Sequence, residues 1–354
     1  MTSISSEGAG QEVTSTRTSL VGITSALDLK SPEVRAAIDQ HKRDLIDRSV
    51  SESTKRAYLG DWRHFTAWAD SVNLHPDEFS TSQEMEDALL LYLNFYLRHP
   101  DESQRLKPAS MTRRLSGIRW HVTARGIPWP AHVSGAVSIL NRIITVAARD
   151  LGEPAKKASP ISTKMLGQMV AVTPDTPKGI RDRALLLVGF CAALRASEVV
   201  GLRIEDVRLE DEGLVLTLTR SKTDQEGRGR MIYLPRANHP ATCPVIATIA
   251  WLKLRDSRTG PLFVRTFRGG RISDNKLNPA AVDLIVKEYA TQVDAVTDYT
   301  AHSLRSGLAT AAARGGADLR TIMRQTGHTS VESVAGYIRE GTGFRDNVMQ
   351  YLDL

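Results

Sequence analysis

Residues 181–223 read RDRALLLVGFCAALRASEVVGLRIEDVRLEDEGLVLTLTRSKT. Residues 181–194 are a strongly apolar run, long enough for a buried helix. Residues 207–209 and 214–219 then read as short strands, and 231–234 supply a third, with polar, Gly-bearing turns between them. That is the pattern of one small antiparallel sheet beside helices. Downstream the helical period resumes near 245–254, 280–290, 303–314, 319–325 and 331–338, and an amphipathic piece at 344–352 closes the chain.

Upstream the pattern is helical only. Ser51 or Ser53 can cap a helix on which Tyr58, Trp62, Phe65 and Trp68 recur on one face as an aromatic core stripe. Further helices are expected at 85–97, 109–124 and 137–148. In the third of these four, Leu115, Ile118 and Val122 should face inward, leaving Arg113, Arg114, Arg119 and Arg125 to solvent. Residues 152–160, with two prolines and a glycine among small polar residues, interrupt the periodicity as a linker would. Residues 1–20 are Ser-, Thr- and Gly-rich, with few large apolar side chains, so disorder is expected there.

The predicted organisation is a tail over 1–30, an all-α domain over 31–150, a linker over 151–160, and a mainly α domain with a small antiparallel sheet (α+β) over 161–354. A length of 354 residues and 41% hydrophobic content suit two ordinary globular cores. No stretch approaches the ~20 apolar residues that span a bilayer, and the start lacks the layout of a signal peptide. The expected location is therefore cytoplasmic, with no membrane partner. Cys191 and Cys243 have no metal-ligand spacing, so neither a metal nor another cofactor is expected. The net charge is +6 and the pI about 9.3. Residues 70–87 hold six acids and no base, while 105–125 hold six bases and no acid. Basic stretches of this kind are compatible with a polyanionic partner.

Cleaving a phosphodiester needs charge on its nonbridging oxygens stabilised, a nucleophile, and an acid for the leaving oxygen. Arginine suits the first task, because its planar fork donates two permanently charged hydrogen bonds. The chain offers Arg195, Arg305, Tyr337, His302, His328 and Lys222. Arg195 ends the apolar run, a costly place for an unpaired charge, and Glu198 three residues on can pair with it. His302 and Arg305 are three apart at a predicted helix start, so they share a face. Lys222 lies at a hairpin tip. Taken singly, each has an ordinary structural reading: an ion pair, a solvated lysine, a cap, a packed tyrosine.

The combination is specific. Leu194-Arg195-Ala196-Ser197-Glu198, Ser221-Lys222-Thr223, His302-Ser303-Leu304-Arg305, Gly327-His328-Thr329-Ser330 and Tyr337-Ile338-Arg339 together resemble the tyrosine recombinase/integrase family. The helical 31–150 segment resembles that family's core-binding domain in size and character. The resemblance implies that Arg195 and Arg305 stabilise the phosphorane and that Glu198 orients its neighbours. It implies Lys222 as the acid for the 5′-oxygen and His302 as the aid to proton transfer from tyrosine. It gives His328 a hydrogen bond to the scissile phosphate and Tyr337 the 3′-phosphotyrosyl link. Rejoining then needs neither metal nor ATP. It further implies double-stranded DNA with inverted-repeat half-sites, a dimer per site and a homotetramer on two sites, nucleoid association, and docking of 344–354 on the same or a neighbouring protomer. Candidate phosphate contacts are Arg113, Arg114 and Arg119 in the first domain, and Arg228, Arg230, Arg268, Arg271 and Lys276 in the second. A phage or plasmid integrase needing accessory factors is the close alternative. A type IB topoisomerase or a catalytically silent architectural protein is more distant.

Overall fold

The computed structural model of the protein describes residues 30–130, 138–151, 159–218, 229–294, 298–343 and 349. The chain divides into two compact units, Met1–Ala155 and Lys156–Leu354.

The described part of the first unit is built from α1 (Pro32–Arg48), α2 (Glu52–Ser71), α3 (Ser82–Leu97), α4 (Pro108–Arg125) and α5 (Ile139–Leu151). The chain signals each start. Ser51 caps α2 by accepting from the Thr54 amide, and Thr81 and Glu84 form a reciprocal capping box on α3. Pro108 opens α4, and Gly126, at φ +75°, ends it in the left-handed conformation. Three of the four aromatics of the α2 stripe are core: Trp62, Phe65 and Trp68 are buried against Met85, Leu89, Tyr92 and Leu93 of α3 and Met111, Ile118 and Val122 of α4, while Tyr58 is part-buried beside Trp120. α1 buries no residue fully and is held to α4 by Trp120, whose indole N–H donates to the Ile46 carbonyl.

The described part of the second unit begins with α6 (Thr163–Ala171), α7 (Pro177–Cys191) and the short α8 (Ala196–Gly201). Strands β1 (Val207–Leu209), β2 (Gly213–Leu218) and β3 (Arg230–Pro235) follow in one antiparallel sheet of that order. Leu214, Leu216, Leu218, Ile232 and Leu234 enter the core while Met231 and Tyr233 of β3 face out; on β2 the alternation fails at Val215, which is buried too. Then come α9 (Pro244–Arg255), α10 (Pro279–Val293), α11 (Ala301–Arg314), α12 (Leu319–Thr326) and α13 (Glu332–Thr342). The apolar helix α7 runs through the core, with Leu185, Leu186, Leu187 and Val188 inaccessible to solvent.

Several features depart from the sequence reading, which placed no separate helix at α1 or α6. A second hairpin, β4 (Val264–Thr266) with β5 (Ile272–Lys276), lies between α9 and α10. Its second strand reads Ile-Ser-Asp-Asn-Lys, without the alternation that would mark it. The last helix of the first unit runs Ile139–Leu151 rather than 137–148. The expected helix at 344–352 lies outside the described residues apart from Met349.

Candidate active site

Three turns of the second unit converge. The first follows α7. Ala193 takes φ +51°, the left-handed region that costs a side-chain-bearing residue about 1–2 kcal/mol. It turns the chain so that Arg195 becomes the N-cap of α8. Glu198, buried, then reaches back with both oxygens. Oε2 accepts from the Arg195 amide at 2.8 Å and Oε1 from Arg195 Nη1 at 2.7 Å. The pairing expected from the three-residue spacing is therefore present, and it fixes the arginine at backbone and side chain together.

The second turn is the start of α11. His302 lies in its first turn and Arg305 one turn in, on the same face. Arg305 is 1% exposed, a position a guanidinium holds only with acceptors around it. Nη1 donates to the Ala193 carbonyl at 2.7 Å and Nη2 to His328 Nε2 at 3.0 Å. The strained Ala193 thus supplies an acceptor to the second arginine. Burial first, and then the neighbouring Arg195, bring the Arg305 guanidinium down to about 10, still charged at neutral pH.

The third turn joins α12 to α13. Gly327, at φ +66°, ends α12 and hands the chain to His328. Tyr337 follows on α13, and its hydroxyl lies 2.8 Å from His302 Nε2. The Tyr337 ring centre is 6.3 Å from that of His302 and 6.2 Å from that of His328. Desolvation, followed by Arg305 and Arg195, drives His328 down to about 4; the same causes in the same order lower the more exposed His302. Desolvation favours the neutral form of His302, the ring whose Nε2 faces the Tyr337 hydroxyl, so that nitrogen can accept a proton.

Arg195, Glu198, His302, Arg305, His328 and Tyr337 are thus brought into one constellation. Lys222 and Arg228 lie outside the described residues; the ladder beside them closes at Leu218 opposite Arg230. Arg230 itself is engaged within the protein. It is half-buried, and its Nη1 donates to the Gln325 carbonyl at 3.0 Å and the Arg324 carbonyl at 3.5 Å. A cation on the last carbonyls of a helix is favourable there, and this one holds α12 in front of His328. Sequence reasoning placed Arg230 among phosphate contacts and had no signal for the carbonyl contacts, which are 94 and 95 residues away in the chain.

In the first unit, Arg113 is paired with buried Asp61 and Arg114 donates to the Tyr92 hydroxyl at 3.0 Å. Arg114 is half-buried, not solvent-facing as the helix pattern suggested, because α3 carries Tyr92 against it. Arg119, Arg268, Arg271 and Lys276 are exposed, and Arg271 lies over the Phe267 ring at 4.3 Å.

Comparison with known proteins accords with this architecture. Residues 161–342 match the Phage integrase family. An integrase/recombinase xerD homolog of Selenomonas ruminantium is 31% identical over 307 residues, covering 86% of this chain and 86% of that protein. The tyrosine recombinase XerD of Pseudomonas aeruginosa is 28% identical over 303 residues, covering 82% and 88%. The chain belongs to the Phage integrase family and is a tyrosine recombinase. Among solved structures, the Tn1549 transposon integrase in complex with transposon right end DNA superposes with a TM-score of 0.55 at 14% identity, covering 88% of this chain and 99% of that one. A lambda integrase (residues 75–356) dimer bound to a COC′ core site gives 0.52 at 18% identity, covering 86% and 95%. At these identities the likeness is one of fold. Among the described residues no helix is long and apolar enough to cross a membrane.

Proposed function

We propose that the protein is a site-specific DNA strand transferase in which Tyr337 is the nucleophile. The observation that carries this reading is the 2.8 Å contact between the Tyr337 hydroxyl and His302 Nε2, set beside Arg195 and the buried Arg305.

The steps follow from the groups present. The Arg195 and Arg305 guanidiniums bind the nonbridging oxygens and stabilise the charge that gathers there in the transition state. Glu198 keeps Arg195 aimed. The Tyr337 oxygen attacks phosphorus as its proton passes to His302 Nε2. The bond from phosphorus to the 5′-oxygen breaks, and Lys222 protonates that oxygen as it leaves. The product is a 3′-phosphotyrosyl ester, which conserves the diester's bond energy. A 5′-hydroxyl from the partner strand reverses the step, so rejoining through a Holliday junction needs no ATP. Fixed guanidiniums supply the positive charge on the phosphate, which removes the need for a metal.

The wider reading is built on the same site. The first unit is the core-binding domain, with the exposed Arg119 as a phosphate contact; Arg268, Arg271 and Lys276 serve the second unit. The substrate is DNA with inverted half-sites, bound by a dimer per site and a tetramer on two sites, as family resemblance implies. The deciding experiment incubates the protein with nicked duplexes built from inverted repeats flanking its gene. A covalent adduct should form with wild type and be absent with Tyr337→Phe, which still binds. An adduct that persists in the variant moves the nucleophile elsewhere.

A further inference from the structure

Thr326 is the last residue of α12, has no exposed surface, and took no part in the sequence reading. Its hydroxyl oxygen lies 2.7 Å from the Ile322 carbonyl and 2.7 Å from His328 Nδ1. A carbonyl only accepts, so the hydroxyl proton goes to Ile322. The oxygen's lone pair then faces Nδ1, which must carry a proton to satisfy the contact. The other end of the ring makes the same demand. A guanidinium only donates, so His328 Nε2, 3.0 Å from Arg305 Nη2, must offer a lone pair. Both neighbours select the same neutral tautomer.

The groups form one directed chain. Thr326 donates to Ile322, His328 donates to Thr326, and Arg305 donates to His328 and, through Nη1, to the Ala193 carbonyl. Two of the five N–H donors of Arg305 are thereby committed to acceptors 23 and 112 residues away in sequence, which fixes the plane of its fork.

We infer that Thr326 is a positioning residue of this active site: its hydroxyl fixes the Nδ1–H tautomer of His328, and through Nε2 the imidazole holds Arg305 in the plane from which it clamps phosphate. The catalytic part of this inference rests on the proposed role of Arg305. In the free protein His328 is an acceptor that orients an arginine. An aliphatic side chain at 326 would leave a half-buried N–H facing no acceptor and free the ring to turn.

The full-length protein with 15N-labelled histidine, free of DNA, tests the hydrogen-bond chain; the His328 signals are assigned by their loss in His328→Gln. Wild type and Thr326→Ser should show His328 protonated at Nδ1 and bare at Nε2, with the Nδ1 signal shifted as a hydrogen-bonded N–H; in Thr326→Val, where Arg305 alone still asks for that tautomer, the hydrogen-bond shift at Nδ1 should be lost. A wild-type His328 protonated at Nε2 overturns the inference, and so does an unchanged Nδ1 signal in Thr326→Val. The wild-type result decides the matter even if the valine variant does not fold. On the nicked duplex at saturating concentration, Thr326→Val should slow adduct formation about tenfold, the worth of one hydrogen bond, with DNA affinity unchanged. Thr326→Ser should cleave within about threefold of wild type. A valine variant cleaving at the wild-type rate overturns the positioning role. If wild type itself forms no adduct, the functional reading fails, and the tautomer measurement still decides the chain.

Discussion

Gly327→Ala is the substitution whose cost can be worked most fully from the structure. Gly327 has φ +66°, and an added methyl would clash with Arg230 Nη1. Two separate penalties follow. Alanine in the left-handed region costs roughly 1 kcal/mol. The clash is with the tip of a flexible side chain, so it is relieved by moving Arg230 rather than backbone. Moving it forfeits the charge-assisted bond to the Gln325 carbonyl, worth about 1.5 kcal/mol at this half-buried site. Gly327→Ala should therefore destabilise the end of α12 by about 2.5 kcal/mol, and Arg230→Ala alone by about 1.5 kcal/mol. In the double variant the arginine's loss is counted once, so the cost should stay near 2.5 kcal/mol rather than rise to about 4. Hydrogen exchange of peptides spanning Leu319–Thr326, followed by mass spectrometry, reads this opening free energy without requiring both units to unfold together. If the two single costs add to within about 0.5 kcal/mol, Arg230 and Gly327 are not coupled and the reasoning is wrong.

Further outcomes follow from the same geometry. Glu198→Gln keeps the shape but removes the charge that pairs Arg195, and should slow adduct formation by roughly one to two powers of ten, since bonds to charged groups are worth about 1.5–3 kcal/mol; single-turnover cleavage at saturating DNA checks it. Lys222→Ala should slow cleavage of an ordinary diester and be rescued by a sulfur-substituted 5′ leaving group; no rescue removes it as the acid. Chelators such as EDTA should leave adduct formation unchanged, and inhibition reversed by a divalent cation would refute the guanidinium-only account. His121 and His328 both fall from the ordinary 6.5 to about 4, so the folded state binds fewer protons than the unfolded one in that window. Their contribution is complete above about pH 6.5 and lost as pH falls toward 4, so urea midpoints of the full-length protein should drop across that interval. His328→Gln should shrink the drop. Because desolvation, followed by Arg305 and Arg195, lowers His302, the acid limb of adduct formation should have its midpoint below the ordinary 6.5 of a histidine; a midpoint above it would contradict the base assignment.

Much of this was legible in one dimension. The apolar run before Arg195, the three-residue step to Glu198 and the His302–Arg305 spacing each carry their own local geometry, and α8 and α11 realise it. The hairpin β4–β5 was not legible, because a short strand with polar residues has no alternation for the eye to find. Arg113 and Arg114 read as a basic face, yet Asp61 and the Tyr92 hydroxyl engage them, and no spacing within α4 discloses partners on α2 and α3.

The sequence by itself determined which residue types could share a phosphate, and in what chain order, because caps, helical spacing and burial of apolar runs are local or compositional forces. Only the tertiary structure decided how those residues are held. The strained carbonyl of Ala193 receives Arg305, Arg230 secures the end of α12, and Thr326 selects the tautomer of His328. Hydrogen bonds depend on distance and angle between groups that may be a hundred residues apart, so their partners exist only once the core has closed.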